Sequence, residues 1–187
     1  LSYYRKKEEL EKIFSSINVK YGISLIKELE LDKHLNLSNI DNLIITSSVI
    51  GIWAQLGVVD VYDFTNNEKD MIKKINELNN LDVLDNYNLY KYGLYISSVV
   101  GEIHNINKKD IACKFNSLSI NSINDININA NEICMLLNKK PGYFLKEIFN
   151  DIERKIVYKE LENDKEVLKK YISDKYINNK KWISLNF

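Results

Sequence analysis

Turn-forming residues are scarce in this chain, with one proline and six glycines in 187 residues. A sandwich or barrel needs a turn every few residues, so the shortage disfavours an all-β fold and favours long helices. Cysteine is scarce too. Cys113 and Cys134 stand alone without CxxC spacing. That spacing supports neither a disulfide framework nor a zinc knuckle, and both read as small buried apolar residues in a reducing, cytoplasmic setting. No apolar run approaches the roughly 18 residues that a membrane span requires. No signal peptide is visible. The chain opens at Leu1 rather than Met, inside a helix-like pattern, which suggests a cut from a longer polypeptide or a removed tag.

Catalytic signatures are missing as well. His34 and His104 are the only histidines, and neither belongs to an HD pair or an HExxH segment. A lone histidine of this kind reads as a surface or satisfied core residue rather than a metal ligand. A P-loop, a GxGxxG turn and a GxSxG elbow are all absent, and Cys–His catalysis has no local support. Phosphoryl transfer needs clustered carboxylates to hold magnesium, yet there is no short DxD, and the acidic residues alternate with lysine on helix faces. No catalytic residue and no metal ligand is expected here.

What the chain has is hydrophobic residues at 45% and asparagine at 25 positions. The first is the ordinary globular share. Asparagine propagates helices only moderately but caps them well. The expected fold is all-α, an irregular array of about eight to ten helices. Ser2 caps a first helix through Leu10, Ile13, Phe14 and Ile17. Gly22 breaks the pattern before a shorter helix at Leu25, Ile26 and Leu29. Ser38 and Asp41 precede an apolar stretch through Trp53 and Leu56. Val58–Phe64 is compatible with a strand but has no obvious partner. Thr65 and Glu68 form a capping box, as do Asn129 and Glu132. A tyrosine-rich helix covers 89–100, and Asn107 caps the next. The Ser/Asn-rich stretch 116–127 is the best loop or boundary, giving a body over 1–118 and a tail over 119–187. The tail helix carries Leu145, Ile148, Phe149, Ile152 and Ile156 on one stripe, with Pro141 suited to its first turn. Asn163 and Glu166 open a last helix, and the apolar end from Trp182 to Phe187 should pack back on the body.

Net charge is zero, but residues 1–138 hold 14 basic against 18 acidic residues and residues 139–187 hold 12 against 8. The basic end is either a polyanion contact or a solvated helix face. Within it, Lys139-Lys140-Pro141-Gly142 precedes a helix N-terminus, where free N–H groups and the helix dipole favour an anion. Taken alone, these residues read more readily as a plain loop-to-helix junction with solvated lysines.

Two stretches carry a family resemblance. Ile128-Asn129-Ala130-Asn131-Glu132-Ile133, then Lys140-Pro141-Gly142, then Leu161-Glu162-Asn163, resembles the tail of bacterial class II tRNA nucleotidyltransferases, the CCA-adding enzymes. Ala130, Glu132 and Ile133 stand where the family has Gly, Asp and Leu. At the other end, Ser2, Arg5, Glu9-Leu10 and Lys12-Ile13 are similar to the family's neck-bracing helix, with Tyr4 in place of its glutamate. The resemblance implies the late neck, body and tail of such an enzyme. The catalytic head, with its magnesium and its ATP and CTP, would lie in another part of the polypeptide. It further implies a segment inactive alone that holds the acceptor and T arms of tRNA, with Arg5 and Glu9 as the bracing pair. Lys139, Lys140, Gly142, Lys146, Arg154, Lys155 and Lys159 are the implied RNA contacts. About four lysine–phosphate contacts would give a log–log salt slope of roughly −3 to −4. The rival reading is a helical interaction or oligomerisation module that presents Tyr and Trp. Composition is silent on oligomeric state.

Overall fold

A computed structural model describes Ser2 to Ile177. Among the described residues it holds ten α-helices, two short 3₁₀ turns and no strand. The chain divides into two compact units, Leu1–Asn116 and Ser117–Phe187. The expected packing of Trp182 to Phe187 lies outside the described residues.

The first unit contains α1 (Tyr3–Phe14), α2 (Val19–Glu28), α3 (Leu31–Leu35), a 3₁₀ turn (Ile40–Asn42), α4 (Val49–Gln55), α5 (Asn66–Leu78), α6 (Asn86–Ile103) and α7 (Lys108–Asn116). Local capping chemistry sets several starts. The Ser2 hydroxyl accepts from the Arg5 amide. Thr65 and Glu68 cap each other reciprocally at α5. The core gathers around Trp53 of α4, whose ring meets Phe14, Tyr62 and Phe64 with centroids 5.0–5.4 Å apart. Aromatic side chains packed in this way bury much apolar area from a short helix.

Several local expectations change. α1 stops at Phe14, with Ser15 at its C-cap donating both its amide and its hydroxyl (2.6 Å) to the Glu11 carbonyl, and Ile17 is left 98% exposed. α2 runs straight through Gly22, since a Cβ there would collide with the Ile13 side chain and the bare glycine lets α1 approach. The Ser38–Asp41 signal caps no helix: the 3₁₀ turn Ile40–Asn42 has Asn39 at its N-cap with no side-chain bond, and α4 begins at Val49. Val58–Phe64 is a turn rather than a strand. Its Val58, Tyr62 and Phe64 are buried, and the Tyr62 hydroxyl donates to the Leu35 carbonyl at 2.7 Å. The tyrosine-rich helix α6 is broken by Gly93, at φ 75°, ψ 169°, a conformation nearly reserved to glycine. Cys113 is exposed while Cys134 is buried.

The second unit contains a 3₁₀ turn (Ile123–Asp125), α8 (Ala130–Leu137), α9 (Phe144–Val157) and α10 (Lys165–Tyr176). Ile148, Ile152, Ile156 and Val157 of α9 are fully buried, with Leu168 and Ile172 of α10 and Ile133 of α8. The three isoleucines of α9 lie at i, i+4 and i+8 spacing, one stripe facing inward. Phe149 stands at the edge of that stripe and is only half-buried. No helix among the described residues is long and apolar enough to cross a membrane.

Candidate nucleic-acid interface

The basic corner sits where α8 gives way to α9. Asn138 ends α8 in the left-handed conformation, φ 49°, a geometry asparagine tolerates well. The chain then passes through Lys139-Lys140-Pro141-Gly142 without regular structure. Pro141 lies three residues ahead of α9 rather than in its first turn, which begins at Phe144. Tyr143 occupies the N-cap position, and its side chain makes no capping bond. No side chain closes off the first turn, but the Leu145 and Lys146 amides already donate to the Gly142 and Tyr143 carbonyls at 3.2 and 3.0 Å, and Glu147 stands in the same turn.

The seven implied contacts fall into two groups toward opposite ends of α9, a helix of 14 residues that spans about 20 Å at about 1.5 Å per residue. Near the N-terminal end, Lys140, Gly142 and Lys146 are exposed, and Lys139 is half-buried with its ammonium 5.8 Å from the Phe144 ring centroid. Lys140 and Lys146 make no ion pair among the described residues. A Cβ on Gly142 would make only ordinary contact with Phe144, so the position is open rather than sterically reserved.

At the C-terminal end the charges have work within the unit. Lys155 pairs with Glu160 at 2.8 Å, and that bond raises its pKa. Arg154 lies over the Tyr158 ring at 5.7 Å. Lys159 is exposed and takes the left-handed backbone, φ 60°, that closes α9. The helix carbonyls at this end carry partial negative charge, which favours these cations and opposes an incoming phosphate. Arg154, Lys155, Tyr158, Glu160 and Asp151 line a cavity of about 270 Å³ with charges of both signs.

Sequence reasoning missed the group that fixes α9 against α10. The Asp151 carboxylate accepts from Tyr171 at 2.8 Å and Tyr176 at 3.0 Å, and pairs with Lys175 at 2.8 Å. Partial burial works against its charge, but these bonds outweigh it and hold its pKa below the ordinary value. Burial and the neighbouring carboxylate push the Tyr176 phenol up. A lone Asp at i, i+20 and i+25 from two tyrosines has no periodic signature, so only the fold reveals it.

The cap of α10 is Asp164, not the expected Asn163, and it accepts from Glu166 and Val167. Asn163 ties down the loop before α8: its Oδ1 accepts from the Asn127 amide at 2.9 Å and its Nδ2 donates to the Asp125 carbonyl at 2.8 Å. Glu132 completes the Asn129 cap and pairs with Lys165 at 2.6 Å. The three tail segments that carry the resemblance thus frame one small assembly around α8 and α9. At the other terminus, Arg5 pairs with Glu8 and Glu9 of its own helix at 3.1 and 2.9 Å, on exposed surface.

Among the described residues, no three His, Cys, Asp or Glu side chains converge as a metal site.

The chain has recognisable relatives. A model of the family described as tRNA nucleotidyltransferase domain 2 matches residues 58–172. The chain is similar to the CCA-adding enzyme of Bacillus cereus (strain 03BB102), 28% identical over 94 residues covering 46% of this chain and 24% of that protein. It is also similar to the CCA-adding enzyme of Anoxybacillus flavithermus (strain DSM 21510 / WK1), 29% identical over 93 residues covering 44% of this chain and 22% of that protein. The match thus spans about a quarter of the length of these curated relatives. Among solved structures, the Bacillus stearothermophilus CCA-adding enzyme in complex with CTP superposes with TM-score 0.77 at 19% identity, covering 97% of this chain and 54% of that one. At that identity the likeness is one of fold.

Proposed function

This chain belongs to the tRNA nucleotidyltransferase domain 2 family, and from that premise we propose that it is the tRNA-docking region of a CCA-adding tRNA nucleotidyltransferase. Its role is to grip the acceptor and T arms, while a catalytic head outside these 187 residues makes the bond. Alone, the segment adds no nucleotide. The observation that carries the reading is the α8–α9 corner, where exposed Lys140 and Lys146 lack ion pairs among the described residues and flank a helix N-terminus without a side-chain cap.

An RNA duplex is held through phosphates and shape, because its deep major groove hides the bases from side chains. Lysines and helix N-termini are suited to that task and carry no sequence information. Holding the duplex at a distance raises the effective concentration of its 3′ end at the reacting centre. Of the seven implied contacts, the four near the N-terminal end of α9 suit phosphate better. The dipole favours an anion there, and Lys155 at the far end already has Glu160.

The test is a salt titration of binding to a tRNA minihelix. Lys140→Ala with Lys146→Ala should weaken binding about evenly across sequences and flatten the log–log slope by about two units. Lys155→Ala should change the slope by less than about half a unit, since its charge is already neutralised within the unit. An unchanged slope in the double variant returns those lysines to a solvated helix face. The rival reading, an aromatic oligomerisation surface, loses part of its ground because Trp53 is a core residue, 1% exposed.

A further inference from the structure

A cavity of about 420 Å³ opens in the first unit between the 3₁₀ turn Ile40–Asn42, α4, α5 and the end of α6. No charged side chain lines it. Five of its nine lining residues carry a side-chain amide: Asn39, Asn42, Gln55, Asn76 and Asn79. Asparagine is common along the chain, yet 25 of 187 positions is far short of that share. Ile44, Ala54 and Ile103 supply the apolar part of the wall.

The amides are not equivalent. Gln55 is spent on the fold. Its Nε2 donates to the Ile44 and Gly51 carbonyls at 2.8 and 2.9 Å, and its Oε1 accepts from the Ile44 amide at 3.0 Å. These bonds fasten the stretch before α4 to the helix and fix that wall. Asn79 is partly spent. Its main-chain carbonyl, which can only accept, lies 3.2 Å from His104 Nε2, so that nitrogen carries the proton and the Asn79 Oδ1 accepts from it at 2.9 Å. Asn39, Asn42 and Asn76 make no side-chain hydrogen bond among the described residues. Each unspent amide presents a donor and an acceptor side by side, without charge.

We propose that this cavity binds a neutral nucleobase. An amide pairs in bidentate fashion with the amino group and ring nitrogen of adenine, and aliphatic walls suit the faces of a flat heterocycle. The lack of charge sets the ligand class. A phosphate would find no cation in the lining, so the base is recognised and a nucleotide's charge adds nothing. The base comes from a free nucleoside or from an unpaired nucleotide of RNA, which present the same edge. The inference does not depend on the tRNA-docking reading.

The experiment follows backbone amide shifts of the full chain as adenosine is added. Shifts should gather at residues 39–44, 54–57, 76–79 and 103. Asn76→Ala and Asn39→Gly should each weaken adenosine about three- to tenfold, the loss of one net hydrogen bond. Alanine suits the exposed α5 position, and glycine suits the left-handed backbone of Asn39, φ 60°, so both variants keep the fold. AMP should bind no more tightly than adenosine, and ribose should cause no shift. An RNA hairpin with one unpaired adenosine that displaces the nucleoside marks RNA as the source, and a hairpin that leaves it bound marks the free nucleoside. No shift at about 10 mM adenosine overturns the proposal. Unchanged affinity in both variants, or AMP binding more than about tenfold tighter than adenosine, overturns it as well.

Discussion

Lys159 closes α9 in the left-handed conformation at φ 60°, where its Cβ is strained against the backbone, and glycine is the usual occupant of such a helix end. Lys159→Gly is therefore expected to stabilise the chain by about 1 kcal/mol in urea unfolding. A loss of stability would mean that the lysine side chain contributes packing its exposure does not suggest. Residues whose work is local are legible from spacing alone. Ser2, Thr65, Asn107 and Asn129 each bond an amide two or three positions on. Asn163 escapes such reasoning because its partners, Asn127 and Asp125, lie 36 and 38 positions away. Its neighbour Asp164 has equal capping chemistry, so spacing cannot choose between them. Cys113 departs from expectation because residue type predicts burial only on average.

Helix faces depend on packing as well as period. The stripe on α9 holds at Ile148, Ile152 and Ile156, while Phe149 falls to its edge, since a 100° step leaves flanking positions undecided until a neighbour covers them. Gly22 and Gly93 show the same limit from the other side. One glycine lies inside a helix for close approach and the other breaks one, and the letter is identical. The bond group joining α9 to α10 gives a test at this scale. Asp151 has a depressed folded pKa, so its contribution is fully present above the unfolded value of about 3.9 and is lost as pH falls through the lower folded value. Asp151→Asn should destabilise the chain by about 1–2 kcal/mol at pH 7, a modest figure because Lys175 is partly exposed. The gap should narrow as pH drops below about 4. A gap that stays constant from neutral pH to strongly acidic conditions would show that the carboxylate's charge is not what α10 depends on.

Across the whole molecule, helical class is readable because proline and glycine scarcity and 3.6-residue periodicity agree along most of the chain. The interface is readable only as a set of basic residues. Which of them remain free depends on partners brought in by folding, such as Glu160 for Lys155. If RNA lands on the α8–α9 corner, bound phosphate should shield that stretch of backbone from solvent. Amide hydrogen exchange on the full chain, with and without a tRNA minihelix, reads this shielding residue by residue. Slower exchange over 139–147, with α1 to α3 unchanged, is the predicted result. Protection confined to α1 to α3, or no protection at saturating RNA, would contradict it.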